Sequence, residues 1–201
     1  TAPAEVYGAI VRDGKLFEPL DPEVHQYTLS GRPSLGNPGG DIVIVEYADF
    51  QCPFSARASL AFSDMLKDGG PAGGRIRFVF KHFPLSFHEQ ARQAALASLA
   101  AEAQGKFWPM HDLLLANQKE LSDLNYLVWA KAIGLDLKRF TADMASPELA
   151  AILDEDMEEA RAAGLKGTPT LYMNGRRLES PTGYGHEAVE AVIERYFPGP
   201  K

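Results

Sequence analysis

Residues 48–58 read "ADFQCPFSARA", and the cysteine within them, Cys52, is the only one in 201 residues. What surrounds it decides the fold. Upstream, "DIVIVEYADF" (41–50) carries the continuous β-branched run Ile42, Val43, Ile44 and Val45, the pattern of a strand buried on both faces. Downstream, "CPFSARASLAFSDMLKDGG" (52–70) has helical spacing, with Ala56, Leu60, Met65 and Leu66 roughly along one face and Gly69-Gly70 as the stop. Pro53 suits the first helical position, which puts Cys52 at the cap of a helix that a strand delivers.

A lone cysteine is most often a small buried hydrophobe. Three features argue for more. The first is the turn itself. The leading N–H groups of a helix have no intrahelical partner and carry partial positive charge, so the N–H groups of Phe54 and Ser55, with the Ser55 hydroxyl, would gather at the sulfur and favour the nucleophilic thiolate. The second is Glu46, which interrupts the apolar strand. Either it faces water on an edge strand, or it lies beneath the helix start as a buried proton relay with a raised pKa. The third is "GTPTLYMNG" (167–175). The residue before a proline is held extended, and a cis Thr168-Pro169 bond at the head of a strand would leave the Thr168 backbone open to an extended peptide.

The remaining sequence supplies the frame. "RIRFVFKHFP" (75–84) alternates Ile76, Phe78 and Phe80 with Arg75, Arg77 and Lys81, a second strand. From Phe87 to about Leu165 the period becomes helical: an Ala-rich segment ending at Gly105, then "FWPMHDLLLANQ", "SDLNYLVWAKAIG", "LKRFTADMA" and "SPELAAILDEDMEEARAAG". Ser122 and Ser146 are placed to cap helices, and Gly134 and Gly164 to end them. Phe107, Trp108, Leu114, Trp129, Ile133 and Phe140 are read as the packing between these helices. Asp154, Glu155, Glu158 and Glu159 are read as a solvated acidic face. The strand period returns at "TPTLYMNGRRL", where Asn174-Gly175 marks a hairpin, and a final helix spans about His186 to Tyr196. "SGRPSLGNPGG" (30–40) reads as turns or a linker, and Asp13-Gly14 as a second hairpin turn. The expected class is α/β with a helical insertion.

Bulk properties exclude some functions. A net charge of −7 argues against nucleic acid as a partner, because phosphate binding relies on clustered Lys and Arg. No apolar run is long enough for a membrane span. No metal site is expected, since His25, His82, His88, His111 and His186 lack ligand spacing and Cys52 has no cysteine partner. The start "TAPAEVYGAI" lacks Met and the features of a signal peptide; a mature exported protein reads the same way.

Together, "VEYADFQCPFSARA", "FVFKHFPLS", "AAEAQGKFWPMHDLLL" and "GTPTLYMNGRRL" resemble the DsbA-like thiol-disulfide oxidoreductases of the thioredoxin superfamily, over about Leu35 to Tyr196. The resemblance implies a thioredoxin fold formed by residues 35–85 and 166–201, an all-helical insertion over 86–165, and an N-terminal arm over 1–34. It implies Cys52 as nucleophile, Glu46 as the buried acid near it, Thr168-Pro169 as the cis-proline pair facing the sulfur, and Pro53 and Phe54 as substrate contacts. Unfolded or disulfide-bearing proteins would be the substrates, with a redox partner protein. The compartment would be the periplasm or another exported space, with a cytoplasmic one left open by the sequence.

Ser55 departs from the family pattern. C-P-F-S stands where disulfide-forming members carry C-x-x-C, so an intramolecular disulfide cannot store an oxidising equivalent. Three readings follow: a dithiol enzyme whose second cysteine was replaced to trap mixed disulfides; a natural monothiol enzyme using an external thiol such as glutathione; or a peptide-binding module or glutathione transferase resembling the kappa class. No resident cofactor is expected. Lys81 is a candidate for tuning Glu46 or the thiolate. His82 would make a hydrolase-like pair with Cys52 if it reached the sulfur, and otherwise reads as a surface histidine at a strand end.

Overall fold

The computed structural model describes residues 11–12, 15–16, 18–66, 74–180 and 184–199. Two short strands, β1 (Val11–Arg12) and β2 (Lys15–Leu16), pair antiparallel. The turn expected at Asp13-Gly14 and the stop at Gly69-Gly70 lie outside the described residues. The main sheet contains β3 (Leu20–Val24), β4 (Ser34–Gly36), β5 (Ile42–Ala48), β6 (Ile76–His82), β7 (Thr170–Met173) and β8 (Arg176–Leu178), in the order β3-β8-β7-β5-β6-β4. β5 and β6 run parallel, with Glu46 opposite Phe80 and Tyr47 opposite Lys81. β7 runs antiparallel to β5 and sets Glu46 opposite Leu171.

The helices are α1 (Pro53–Met65), α2 (Ala91–Glu102), α3 (Phe107–Ala116), α4 (Asp123–Ala132), α5 (Leu137–Met144), α6 (Pro147–Ala162) and α7 (His186–Tyr196). α1 and α7 cover one face of the sheet, where Phe62, Met65, Val189, Val192 and Ile193 pack on Ile42, Ile44, Ile76, Phe78, Leu171 and Met173. The opposite face carries Val45, Tyr47, Val79 and Tyr172, and Ala160 near the end of α6 packs there. The helical block is inserted between β6 and β7. Its own core, with Phe107, Leu114, Trp129 and Phe140 buried, reaches the end of the sheet through Ala48, Phe50 and Phe80. α2 is buried almost all round, which explains its alanines: small side chains let neighbouring helices approach from several sides.

Local signals account for the boundaries. The Ser122 side chain accepts from Asn125 N at 3.4 Å and Ser146 from Leu149 N at 3.3 Å, each satisfying an N–H that the helix leaves open. Asn174 and Gly175 both have positive φ (47° and 83°), as a two-residue hairpin between twisted strands requires. Two expectations change. Residues 34–36 are an edge strand on β6 rather than part of a linker. At Gly36 a Cβ would stand 2.5 Å from the Ile76 carbonyl oxygen, so the glycine that reads as a loop former is what lets this strand approach its neighbour. The N-terminal arm is also not separate from the sheet: β3 pairs with β8, and Leu20 is wholly buried in the core.

Candidate active site

Cys52 caps α1. Its backbone N–H donates to the Asp49 carbonyl oxygen at 3.0 Å, closing the turn out of β5, and its own carbonyl accepts from Ala56 N at 3.2 Å. The sulfur is nearly covered and lies 3.3 Å from the Thr168 carbonyl oxygen, to which the thiol donates. The Thr168-Pro169 peptide bond is cis. A loop more than a hundred residues downstream is thus brought onto Cys52 because β7 pairs beside β5. Pro169 and Phe54 line a groove of about 530 Å³ with Arg57, Ala58, Ala61 and Tyr184. Phe54 is exposed, under the Arg57 guanidinium at 4.6 Å from its ring centre.

Ser55 is completely buried. Its hydroxyl, expected to lean toward the sulfur, accepts from the Asp49 backbone N–H at 3.3 Å. One turn further along α1, Ser59 donates at 2.9 Å to Glu46, whose carboxyl has no exposure and one oxygen without a partner. Glu46 therefore lies in the sheet beneath α1 rather than on an edge facing water. Loss of hydration pushes its carboxyl up to about 8, against the lowering effect of the Ser59 hydrogen bond.

Lys81 and His82 correct the sequence reading. Opposite Tyr47 in the ladder, Lys81 projects from the other face of the sheet to Glu46. Its ammonium, fully buried, is held by Glu159, by Asp156 at 3.2 Å and by the Thr28 carbonyl at 3.1 Å, so it does not tune Glu46. Tyr47 donates to the same Glu159 carboxylate, and Arg32 binds Asp156 at 2.7 Å. The solvated face expected of α6 holds for the exposed Asp154, Glu155 and Glu158, whereas Glu159 is half-buried and completes the charge network around Lys81. Charge needs partners when it leaves water, and Lys81 on β6 and Arg32, in the turn before β4, supply them. His82 is buried, not superficial. It lies among Phe50, Phe80 and Phe107, neither ring nitrogen has a partner, and burial holds the imidazole down at about 4.

Two residues that hold the turn carrying Cys52 escaped the sequence reading. The buried Asp49 carboxylate accepts from Gln51 N at 2.7 Å and Leu85 N at 2.8 Å, and contacts His88 Nδ1 at 2.7 Å. Gln118, from the short 3₁₀ turn Gln118–Glu120, donates to the carbonyls of Phe50 and Cys52. A polar residue three positions before the cysteine was a signal for Asp49. Gln118 gave none, because only tertiary packing sets it beside Cys52.

A sequence-family model described as Thioredoxin matches residues 28–195. The chain belongs to the thioredoxin family. Within that family its fold is the DsbA-like one. This thioredoxin-family chain is 29% identical to a thioredoxin-like oxidoreductase from Silicibacter pomeroyi DSS-3, with a TM-score of 0.71 over 83% of this chain and 92% of that one. It shares its fold with the thiol-disulfide exchange protein alpha-DsbA2 from Wolbachia pipientis, at 20% identity, a TM-score of 0.71 and coverage of 83% and 87%. It is also 40% identical over 157 residues to a Na(+)/H(+) antiporter NhaA 3 from Salinispora tropica, which covers 78% of this chain and 23% of that one. The chain spans about a quarter of the length of the curated relatives it matches. No helix among the described residues is long and apolar enough to cross a membrane.

Proposed function

We propose that the chain is a thiol-disulfide oxidoreductase acting on protein substrates, with Cys52 as its nucleophile. The observation that carries this is the Cys52 sulfur at the N-terminus of α1, 3.3 Å from the carbonyl that precedes cis Pro169. The groove beside Phe54 and Pro169 offers room for a peptide. In the reaction, the Cys52 thiolate attacks one sulfur of a substrate disulfide. A mixed disulfide forms, and the other substrate sulfur departs as a thiolate that takes up a proton. Glu46, with its carboxyl near 8, is suited to exchange that proton around neutral pH.

With oxygen at position 55, this chain cannot resolve the mixed disulfide from within. An external thiol, glutathione or a partner protein's cysteine, then attacks it and restores Cys52. The compartment that suits this chemistry is an exported one, such as the periplasm, where protein disulfides form and persist.

The test is disulfide exchange itself. Incubation with a peptide–glutathione mixed disulfide should give a Cys52 adduct visible by mass spectrometry and removable by reduced glutathione. Absence of any adduct would sink the reading. A peptide-binding module without redox chemistry predicts instead that Cys52→Ala binds unfolded peptide as tightly as the parent.

A further inference from the structure

We infer that Phe87 anchors the substrate on the flank of Cys52 opposite the cis-proline, selecting cysteines with an apolar neighbour; the inference rests on the oxidoreductase reading above. β5, which delivers Cys52, lies between β7 and β6 in the sheet. Thr168 and Pro169 stand at the head of β7, and residues 83–90 leave the end of β6, so one loop flanks the sulfur on each side.

The second loop is clamped to the turn that carries Cys52. Asp49 holds Leu85 N at 2.8 Å and His88 Nδ1 at 2.7 Å, and the Gln51 side-chain oxygen accepts from Gln90 N at 2.8 Å. Between these fixed points the Phe87 side chain is left in water, 73% exposed, edge-on to the His88 ring with centres 4.5 Å apart. A single exposed phenylalanine is ordinary on a protein surface. What distinguishes Phe87 is that the loop around it is tied, through the backbone N–H groups of Leu85 and Gln90 and the His88 side chain, to residues three and one positions before the nucleophile. Little conformational freedom is then lost when the ring makes a contact, which is the condition for an aromatic anchor. Phe54 is likewise exposed on the α1 side, at 60%. The occupant that fits is an extended, cysteine-bearing segment of a protein substrate. Its sulfur must meet Cys52, and its neighbouring apolar side chain then falls against Phe87.

The test compares glutathione-capped cysteine peptides that carry Leu or Ser beside the cysteine, with oxidised glutathione as the small reference disulfide. The parent should form its mixed disulfide faster with the Leu peptide. In Phe87→Ala the ratio of the Leu-peptide rate to the glutathione rate should fall about tenfold, and Phe87→Leu should restore most of it. Gln51→Ala, which frees Gln90 and leaves Phe87 in place, should lower the same ratio. An unchanged ratio in Phe87→Ala overturns the inference, as does an equal fall with both disulfides, which would mark a merely structural role. If the parent reacts with neither, the oxidoreductase reading itself fails and carries the inference with it.

Discussion

The side-chain amide of Gln118 donates to the carbonyl oxygen of Cys52 at 2.9 Å and to that of Phe50 at 2.8 Å. The helical insertion thus grips the backbone of the nucleophile directly. Removing the amide leaves two carbonyls short of a donor. Gln118→Ala should lower stability by about 1–2 kcal/mol, measured by urea unfolding. It should also alter the iodoacetamide reaction rate of Cys52, because the turn presenting the sulfur loses a support. An unaltered rate would mean that the insertion does not position the thiol.

Ser55 sits where a second sulfur would complete the site, three residues along α1 and buried. Ser55→Cys should form an intramolecular disulfide under mild oxidation, seen as the loss of two hydrogens by mass. It should then reduce insulin with glutathione as the electron source faster than the parent, whose mixed disulfide must wait for an external thiol. A variant that oxidises only between chains would count against this geometry.

Glu46 and His82 oppose each other in their pH dependence. Burial raises the Glu46 carboxyl from its ordinary 4.5 to about 8, so its contribution is complete below 4.5 and is lost as pH rises through 8. Burial lowers the His82 imidazole from 6.5 to about 4, so its contribution is complete above 6.5 and is lost as pH falls through 4. The two slopes cancel between about 4.5 and 6.5. Above that window only the Glu46 slope remains. Glu46→Gln should therefore flatten the alkaline decline, gaining roughly 2–4 kcal/mol relative to the parent at pH 8 in denaturant titrations. An identical alkaline slope in both proteins would show that Glu46 is not held neutral.

Lys81 is expected to matter for stability and not for exchange. Its ammonium is buried against Asp156 and Glu159 on the face of the sheet away from Glu46. Lys81→Met leaves Glu159 without its cation, at a cost of about 3–5 kcal/mol by thermal or urea unfolding. The rate of mixed-disulfide formation, measured where the variant is folded, should stay within about twofold. A larger change would place Lys81 in the chemistry after all.

What the sequence determined by itself was whatever short-range physics can write. A β-branched run, a proline at a helix start, serine caps and an Asn-Gly turn fixed β5, α1, the capped helices and the β7–β8 hairpin, because each preference acts within a few residues. It also put Cys52, Glu46 and Thr168-Pro169 forward as one site, through the resemblance of their segments to a known family. Tertiary structure alone decided which side of the sheet each polar group occupies and who meets it there. Lys81 and Glu46 are both charged types interrupting apolar strands, and nothing local says that one finds carboxylates while the other loses its charge to burial. Gln118 and the Asp49–His88 contact join segments distant in the chain, and Ser34–Gly36 became a strand only because β6 offered an open edge. Burial and pairing are properties of the assembled neighbours, and a residue's own sequence context does not contain them.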